Sequence, residues 1–208
     1  MMLPSRYISV AEETGLIGAI GDWVLMETCI QGKKWLDSGL KPITLAVNLS
    51  PQQFHHKDIT ATVSRTLEET EFPARLLELE LTETILIKRE QDAVEKMHLL
   101  REQGIRLAID DFGTGYSSLS YLKRFPLDVL KIDKSFVDDI PEHRDDMEIA
   151  NTVIAIGHTL GFKVLAEGVE TREQLEFLKK QGCDLYQGFL MSPPLPADEF
   201  EKLLQAKH

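Results

Sequence analysis

The sequence has little cysteine and no long apolar run. Its two cysteines, Cys29 and Cys183, lie far apart and form no Cys-x-x-Cys motif, so we interpret them as reduced packing residues. No apolar run reaches the roughly 18 residues that a membrane helix needs. The first twenty residues contain Glu12 and Glu13 and lack the apolar core of a signal peptide. These absences predict a cytoplasmic location without membrane contact from this segment.

Basic residues are also scarce relative to acidic ones. The chain has 23 Lys and Arg residues against 34 Asp and Glu residues, a formal net charge of -11. Such a negative surface argues against binding nucleic acid polymers. A small anionic substrate stays possible, because metal ions and local basic residues can reverse the field inside a pocket. A length of 208 residues with 43% hydrophobic and 27% charged residues indicates a single globular domain.

Helical and strand patterns alternate along the chain. Capping residues, apolar spacing and terminal glycines predict helices at 9–15, 22–37, 58–70, 90–103, 117–124, 145–160, 171–182 and 197–206. Short apolar runs predict strands at 43–49, 76–81, 107–109, 128–132, 163–166 and 185–191. The helix at 22–37 is expected to pack through Trp23, Met26 and Ile30.

Strict alternation of strands and helices with short connections predicts a parallel α/β fold. Both an open doubly wound sheet and a (β/α)₈ barrel fit this pattern. Polar residues on or just after every predicted strand favour the barrel, because all strand ends of a barrel meet at one mouth. The predicted strands number six rather than eight. The expected fold is therefore a TIM-like barrel without about its first two strands.

Two adjacent carboxylates, Asp110 and Asp111, follow the strand at 107–109 and precede a loop rich in glycine and hydroxyl groups. Burying two like charges costs several kcal/mol unless a cation offsets them. Oxygen ligands of this kind suit Mg²⁺ or Mn²⁺. A solvated Asp-Asp turn is the simpler alternative.

Further oxygen-bearing side chains stand at the other predicted strand ends, and Lys131 adds a cation. Together with the aspartate pair, the oxygen donors are Asn48, Glu80, Asp110, Asp111, Glu167 and Gln187. This is the ligand set of hard divalent cations. Two such cations a few ångströms apart form a clamp for phosphodiester hydrolysis. Each residue alone has an ordinary structural alternative, such as a cap or an ion pair, but one shared site explains all six more simply than six separate alternatives.

Three other chemistries deserve comparison. Lys131 could form a Schiff base in a barrel lyase, but neighbouring acids would keep it protonated and a poor nucleophile. Asp111-Phe112-Gly113 imitates a kinase metal motif, yet no glycine-rich nucleotide loop or His-Arg-Asp triplet accompanies it. The pair His55-His56 is interpreted as an exposed loop pair rather than a metal site.

At these residues the sequence resembles the EAL-domain family of bacterial cyclic di-GMP phosphodiesterases. The resemblance runs in order along essentially the whole chain. It rests on AEETGLI at 11–17, VNLS at 47–50, LELTE at 79–83, DDFGTGYSSL at 110–119, LKID at 130–133, AEGVE at 166–170 and QG at 187–188. On this basis residues 1–208 are expected to form one EAL domain, incomplete at its N-terminus.

The resemblance implies metal-dependent hydrolysis of cyclic di-GMP to linear pGpG in bacterial second-messenger signalling, with a two-metal site for Mg²⁺ or Mn²⁺. By position, Asn48, Glu80, Asp110 and Asp111 would bind the metals. Lys131 would orient the attacking water and stabilise charge on the phosphate. Glu167 would act as general base or hold the metal-bound water. Asp133 and Gln187 would support these groups, and Glu83 would anchor the loop that contains Gly113, Thr114, Gly115, Tyr116 and Ser117. In the family that loop couples substrate binding, metal binding and dimer contacts, so a homodimer is expected.

One departure from the family is the absence of the Glu-x-Leu signature, whose glutamate is a metal ligand. The missing ligand raises a second reading, in which the pocket is a receptor that binds cyclic di-GMP without cutting it. An inert interaction remnant is a third. Family members are often fused to sensory or cyclase-like domains, so such a domain upstream is possible. Missing strands would also leave exposed edges beside residues 43–49 and 185–191, which predicts a marginal, oligomeric or strand-swapped chain.

Overall fold

The computed structural model describes residues 8–56, 58–83, 85, 90–113 and 122–206. The helices in these ranges are α1 (Ile8–Glu13), α2 (Ile17–Asp37), α3 (Pro51–His56), α4 (Ile59–Thr70), α5 (Glu90–Glu102), α6 (Arg144–Leu160), α7 (Arg172–Lys180) and α8 (Ala197–Ala206). The strands are β1 (Leu45–Leu49), β2 (Leu77–Thr82), β3 (Arg106–Phe112), β4 (Val129–Ile132), β5 (Lys163–Ala166) and β6 (Leu185–Tyr186). Short 3₁₀ turns lie at Ala74–Leu76 and Lys134–Phe136.

The six strands form one parallel sheet in chain order, from β1 to β6. A doubly wound sheet reverses its strand order at a switch point, and this sheet has no reversal. The predicted α/β fold with a barrel-like parallel sheet is therefore confirmed, as a six-stranded half-barrel. All carboxyl ends of the strands point to the same rim, where the predicted site residues lie.

Alternation along β2 explains how the sheet separates apolar from polar side chains. Leu77, Leu79 and Leu81 are fully buried in the apolar core, whereas Glu78 and Glu80 project to the opposite, concave face. The helices cover the convex face closely. A Cβ atom added at Gly157 of α6 would lie 2.4 Å from Val164 Cγ2 on β5, so only glycine permits this approach.

Helix α2 differs from its prediction. It begins at Ile17 rather than residue 22, and it buries Leu25, Cys29 and Trp35 instead of the predicted face. Trp23 is 62% exposed and Ile30 is 46% exposed. The helix carries apolar residues on two sides, and spacing alone does not say which side meets the sheet.

The last strand is shorter than predicted. The expected strand at 185–191 is a two-residue strand, Leu185–Tyr186, because the chain then turns against the segment that follows β5. Val169 N donates to Gln187 O and Leu190 N donates to Val169 O. A Cβ atom at Gly188 would lie 2.2 Å from Val169 O, so this contact requires glycine. The predicted helix at 117–124 lies mostly outside the described residues.

Candidate functional site

The carboxyl ends of the strands bring polar side chains onto the concave face in register. Asn48 of β1 pairs with Glu80 of β2, and Thr82 of β2 pairs with Asp110 of β3. Lys131 of β4 pairs with Leu165, two residues before Glu167. Because parallel strands place alternate residues on one face, the acids of several strands surround Lys131.

Lys131 is the centre of this arrangement. Its Nζ atom lies 2.8 Å from Glu80 Oε1, 2.9 Å from Asp110 Oδ1 and 2.6 Å from Glu167 Oε1. Lys131 as a whole residue is only 1% exposed. An ammonium can remain charged at this depth only when anions compensate for lost hydration, and three carboxylates do so here.

The electrostatics fix the protonation state of the lysine. Burial by itself lowers the pKa of Lys131, but Glu80, Asp110 and Glu167 outweigh that effect, so its pKa is raised above the ordinary value. A protonated amine is not a nucleophile, which argues against the Schiff-base chemistry weighed above. Burial also raises the pKa of Glu167, although Lys131 opposes the shift.

Glu167 has a second donor. Gln187 Nε2 donates to Glu167 Oε1 at 2.8 Å. Parallel hydrogen bonding continues beyond the carboxyl ends of the strands. Glu167 N donates to Ile132 O, and Gln187 N donates to Ala166 O. These bonds hold both side chains at the rim.

A bulge turns both carboxylates of the aspartate pair toward the rim. The register between β3 and β4 shifts between Ile109 and Phe112, and Asp111 has a left-handed φ of 55°. A bulge adds a residue to one strand and re-aims its side chains, and aspartate tolerates the left-handed region better than most residues. Burial, followed by the charges of Asp110 and Asp133, raises the pKa of Asp111.

Carboxylate oxygens of Asp110, Asp111 and Glu167 all lie within 4.8 Å of one another. Glu80 is a fourth acid and contacts Lys131, so the four carboxyl groups of this cluster outnumber its one ammonium. This excess of oxygen donors and negative charge suits a hard divalent cation. The predicted metal-binding acids are thus brought together with the predicted Lys131 and Glu167.

Comparison with known proteins identifies the family to which this arrangement belongs. Residues 1–194 match the EAL domain. The chain belongs to the EAL domain family. The signaling protein YkoW of Bacillus subtilis is 46% identical over 201 residues, which are 97% of this chain and 25% of that protein. The cyclic di-GMP phosphodiesterase NbdA of Pseudomonas aeruginosa is 44% identical over 203 residues, 98% of this chain and 26% of that protein. The chain thus spans about a quarter of the length of these relatives.

Solved EAL structures have the same fold. The PaMucR phosphodiesterase in complex with c-di-GMP is 42% identical and superposes with a TM-score of 0.92, covering 96% of this chain and 81% of that one. A manganese and cyclic di-GMP complex of Klebsiella pneumoniae BlrP1 is 31% identical with a TM-score of 0.80, covering 92% of this chain and 48% of that one. Both of these structures contain cyclic di-GMP, and the BlrP1 complex also contains manganese.

The other residues that were predicted to belong to the site differ in burial and in their hydrogen-bond partners. Asn48 is exposed on β1 in register with Glu80. Asp133 caps the 3₁₀ turn after β4 by accepting from Ser135 N at 3.0 Å. Glu83 is buried, and its two carboxylate oxygens have no hydrogen-bond partner among the described residues. Gly113 is the last described residue of its loop; Thr114, Gly115, Tyr116 and Ser117 lie outside the described residues.

Sequence reasoning missed one acid of the EAL domain and misplaced a histidine. Glu78 is buried on the concave face two residues before Glu80, and burial followed by the charge of Glu80 raises its pKa. The alternation Leu-Glu-Leu-Glu in β2 was the available signal. The prediction of a loop at His55-His56 is wrong, because both residues belong to α3. His55 Nε2 lies 2.9 Å from Ile85 O.

The described helices of the EAL domain include none that is both long and apolar enough to cross a membrane.

Proposed function

We propose that this EAL domain hydrolyses cyclic di-GMP to linear pGpG in a metal-dependent reaction. The observation that carries the proposal is the buried Lys131 between Glu80, Asp110 and Glu167, with Asp111 beside them. Relatives at about 40% identity include named cyclic di-GMP phosphodiesterases, and their activity is transferred here to this chain as a proposal.

Asn48, Glu80, Asp110 and Asp111 would hold two Mg²⁺ or Mn²⁺ ions. The fit rests on the close approach of the carboxylate oxygens of Asp110, Asp111 and Glu167 and on the raised pKa of Asp111, which a bound cation would reverse. When bound, the cations supply Lewis acidity toward the attacking water and the phosphate oxygens.

Lys131 positions the reacting groups as a fixed positive charge. Its three carboxylate contacts hold Nζ in place before substrate arrives, so no reorganisation is needed during the reaction. From this position it would orient the attacking water and stabilise negative charge on the phosphate. Its raised pKa keeps it from giving up the proton itself.

Glu167 would act as the general base. Its pKa is raised toward neutral pH. A general base works best with a pKa near the working pH, because it is then ionised and also binds a proton readily. Among the described residues, Lys131 and Gln187 both donate to Oε1, which leaves Oε2 for the proton of the water. Gln187 is thus a positioning residue.

Glu83, Asp133 and the loop beginning at Gly113 would support the site from one side. A buried carboxylate without a donor is costly, so Glu83 is suited to anchoring a segment that supplies donors. We further propose that the whole chain acts as one EAL domain, functions as a homodimer and works within a longer protein that supplies its input.

The direct test is incubation of the chain with cyclic di-GMP and Mn²⁺ or Mg²⁺, followed by separation of the nucleotides. We expect pGpG from the wild type and from Asp198→Ala, which removes an exposed carboxylate of α8, but not from Asp110→Ala. Binding of cyclic di-GMP without formation of pGpG would indicate that the chain is a receptor rather than an enzyme. Neither binding nor product would indicate an inert module, and a borohydride-trapped adduct on Lys131 would indicate a lyase.

A further inference from the structure

Gln174 is a buried polar side chain that has no part in the reaction proposed above. It is the third residue of α7 and is only 3% exposed. A glutamine amide offers two N–H donors and an oxygen that can accept two hydrogen bonds. All four positions are used here, so the side chain is held in one place and its amide has one orientation.

The oxygen of this amide holds the chain that leads from β5 into α7. We call residues 167–171, which connect these two elements, the β5 loop. Gln174 Oε1 accepts from Glu170 N at 2.7 Å and from Thr171 N at 2.9 Å. In return, Gln174 N donates to Thr171 Oγ1 at 3.2 Å, which completes a capping box. These bonds are local and account only for the acceptor side of Gln174.

The nitrogen of the amide contacts a second loop. We call residues 133–143, which connect β4 to α6, the β4 loop. Gln174 Nε2 donates to Val137 O at 3.1 Å and to Asp138 O at 3.2 Å. Glutamate serves as well as glutamine at this position of a capping box, but an ionised glutamate has no donor for these carbonyl groups. The amide therefore connects two loops that are distant in the sequence, in addition to capping the helix.

Both loops begin at the central residues of the candidate site. The β5 loop begins with Glu167, and the β4 loop begins two residues after Lys131. Lys131 Nζ lies 2.6 Å from Glu167 Oε1, and Glu167 N donates to Ile132 O at 3.1 Å. The loops also touch at Gly168, where a Cβ atom would lie 2.4 Å from Lys134 Cγ. A connection between the loops thus acts on the spacing between the ammonium and the carboxylate.

We propose that Gln174 is a positioning residue that fixes the distance between Lys131 and Glu167 by connecting the β4 loop to the β5 loop. The inference rests on the proposed function, in which these two groups act on the same attacking water. Lys134 and Glu170 also join the loops, through an ion pair of 2.6 Å, but both side chains are about half exposed. Exposed ion pairs contribute little, so the buried amide is the stronger connection.

Gln174→Glu separates the two roles of this side chain, because it keeps the acceptor of the capping box and removes the donors to the β4 loop. Misplacing a reacting group by about 1 Å can cost about a hundredfold in rate. We expect kcat for cyclic di-GMP hydrolysis to fall by about ten- to a hundredfold and KM to change by less than about threefold, because the affected groups act mainly in the transition state. Gln174→Met has a similar volume and no charge, and it should show the same pattern.

Thr171→Ala is the matched control. It removes the other side-chain hydrogen bond of the capping box and leaves both bonds to the β4 loop in place. It should therefore lower the melting temperature without lowering kcat. Thermal unfolding of every variant establishes that it is folded at the temperature of the assay.

Hydrogen exchange of the metal-free protein tests the connection without any reaction. The amide of Glu167 should exchange at least about tenfold faster in both Gln174 variants than in the wild type or in Thr171→Ala, because its bond to Ile132 O opens more often. Unchanged exchange, an unchanged kcat in a folded Gln174 variant, or an equal loss of kcat in Thr171→Ala would each overturn the proposal. A wild type that forms no pGpG would instead refute the proposed function, and exchange at Glu167 would then decide by itself whether Gln174 connects the loops.

Discussion

Replacing Lys131 with methionine removes the charge at the centre of the site while keeping most of its volume. Three carboxylates then lose a partner that stood 2.6 to 2.9 Å away at a position with 1% exposure. Breaking a buried ion pair from one side costs about 3–5 kcal/mol, because the remaining charge is buried without compensation. For a chain of this size that cost lowers the melting temperature by about 6–20 °C.

The cost should depend on pH in a defined direction. Burial raises the pKa of Glu167 and Lys131 opposes that shift; without Lys131 the folded-state pKa of Glu167 rises further, so the folded protein binds more protons than the unfolded one. Stability of Lys131→Met therefore falls as pH rises through the raised pKa of Glu167 and recovers as pH decreases toward the ordinary pKa of a glutamate. The wild type, in which the ammonium compensates for these charges, should change less over that range.

Urea unfolding of metal-free protein at several pH values measures the effect. Lys163→Met is the matched control, because Lys163 lies on the neighbouring strand β5 with an exposed side chain; its cost should stay within about 0.5 kcal/mol. Adding Glu80→Gln to Lys131→Met should cost less than the sum of the single changes. A loss below about 1 kcal/mol for Lys131→Met, or a loss independent of pH, would refute the proposed compensation.

Three further outcomes are expected. Mn²⁺ at about a hundred times its dissociation constant should stabilise the wild type by about 2.7 kcal/mol, seen as a higher melting temperature, and should not stabilise Asp110→Asn. Because the folded-state pKa of Asp111 is raised by burial and then by Asp110 and Asp133, Asp111→Asn should stabilise the metal-free protein at pH 7, and the gain should vanish below the ordinary aspartate pKa. Gly157→Ala should destabilise the protein by about 1–3 kcal/mol, since its Cβ would meet Val164 Cγ2 at 2.4 Å.

Each of these has a control and a contrary result. Asp198→Asn, at an exposed position in the first turn of α8, should keep its stabilisation by Mn²⁺; equal stabilisation of Asp110→Asn would place the metal elsewhere. An Asp111→Asn variant that loses stability at pH 7 would contradict the like-charge argument. Thr159→Ala, at an exposed position of the same helix as Gly157, should leave the free energy of unfolding nearly unchanged. An equally small effect of Gly157→Ala would contradict the close packing of α6 on β5.

Much of the fold could be predicted from local patterns. Alternating apolar runs and capped helices predicted the parallel α/β sheet, and most helices and strands lie within a few residues of their predicted bounds. The polar residues at strand ends predicted that Glu80, Asp110, Lys131 and Glu167 would converge, because parallel strands end at one rim. That convergence follows from chain order and strand direction, which the sequence encodes locally.

Other features depended on contacts between distant segments. The burial of Leu25 rather than Trp23 in α2 is decided by the sheet against which the helix packs. The early end of β6 is decided by the approach of Gly188 to Val169. The sequence by itself determined which chemical groups stand at the ends of the strands. Only the tertiary structure decided that Lys131 is compensated by three carboxylates and that Asp111 turns beside Asp110, because charge compensation and bulges arise between strands that are far apart in the chain.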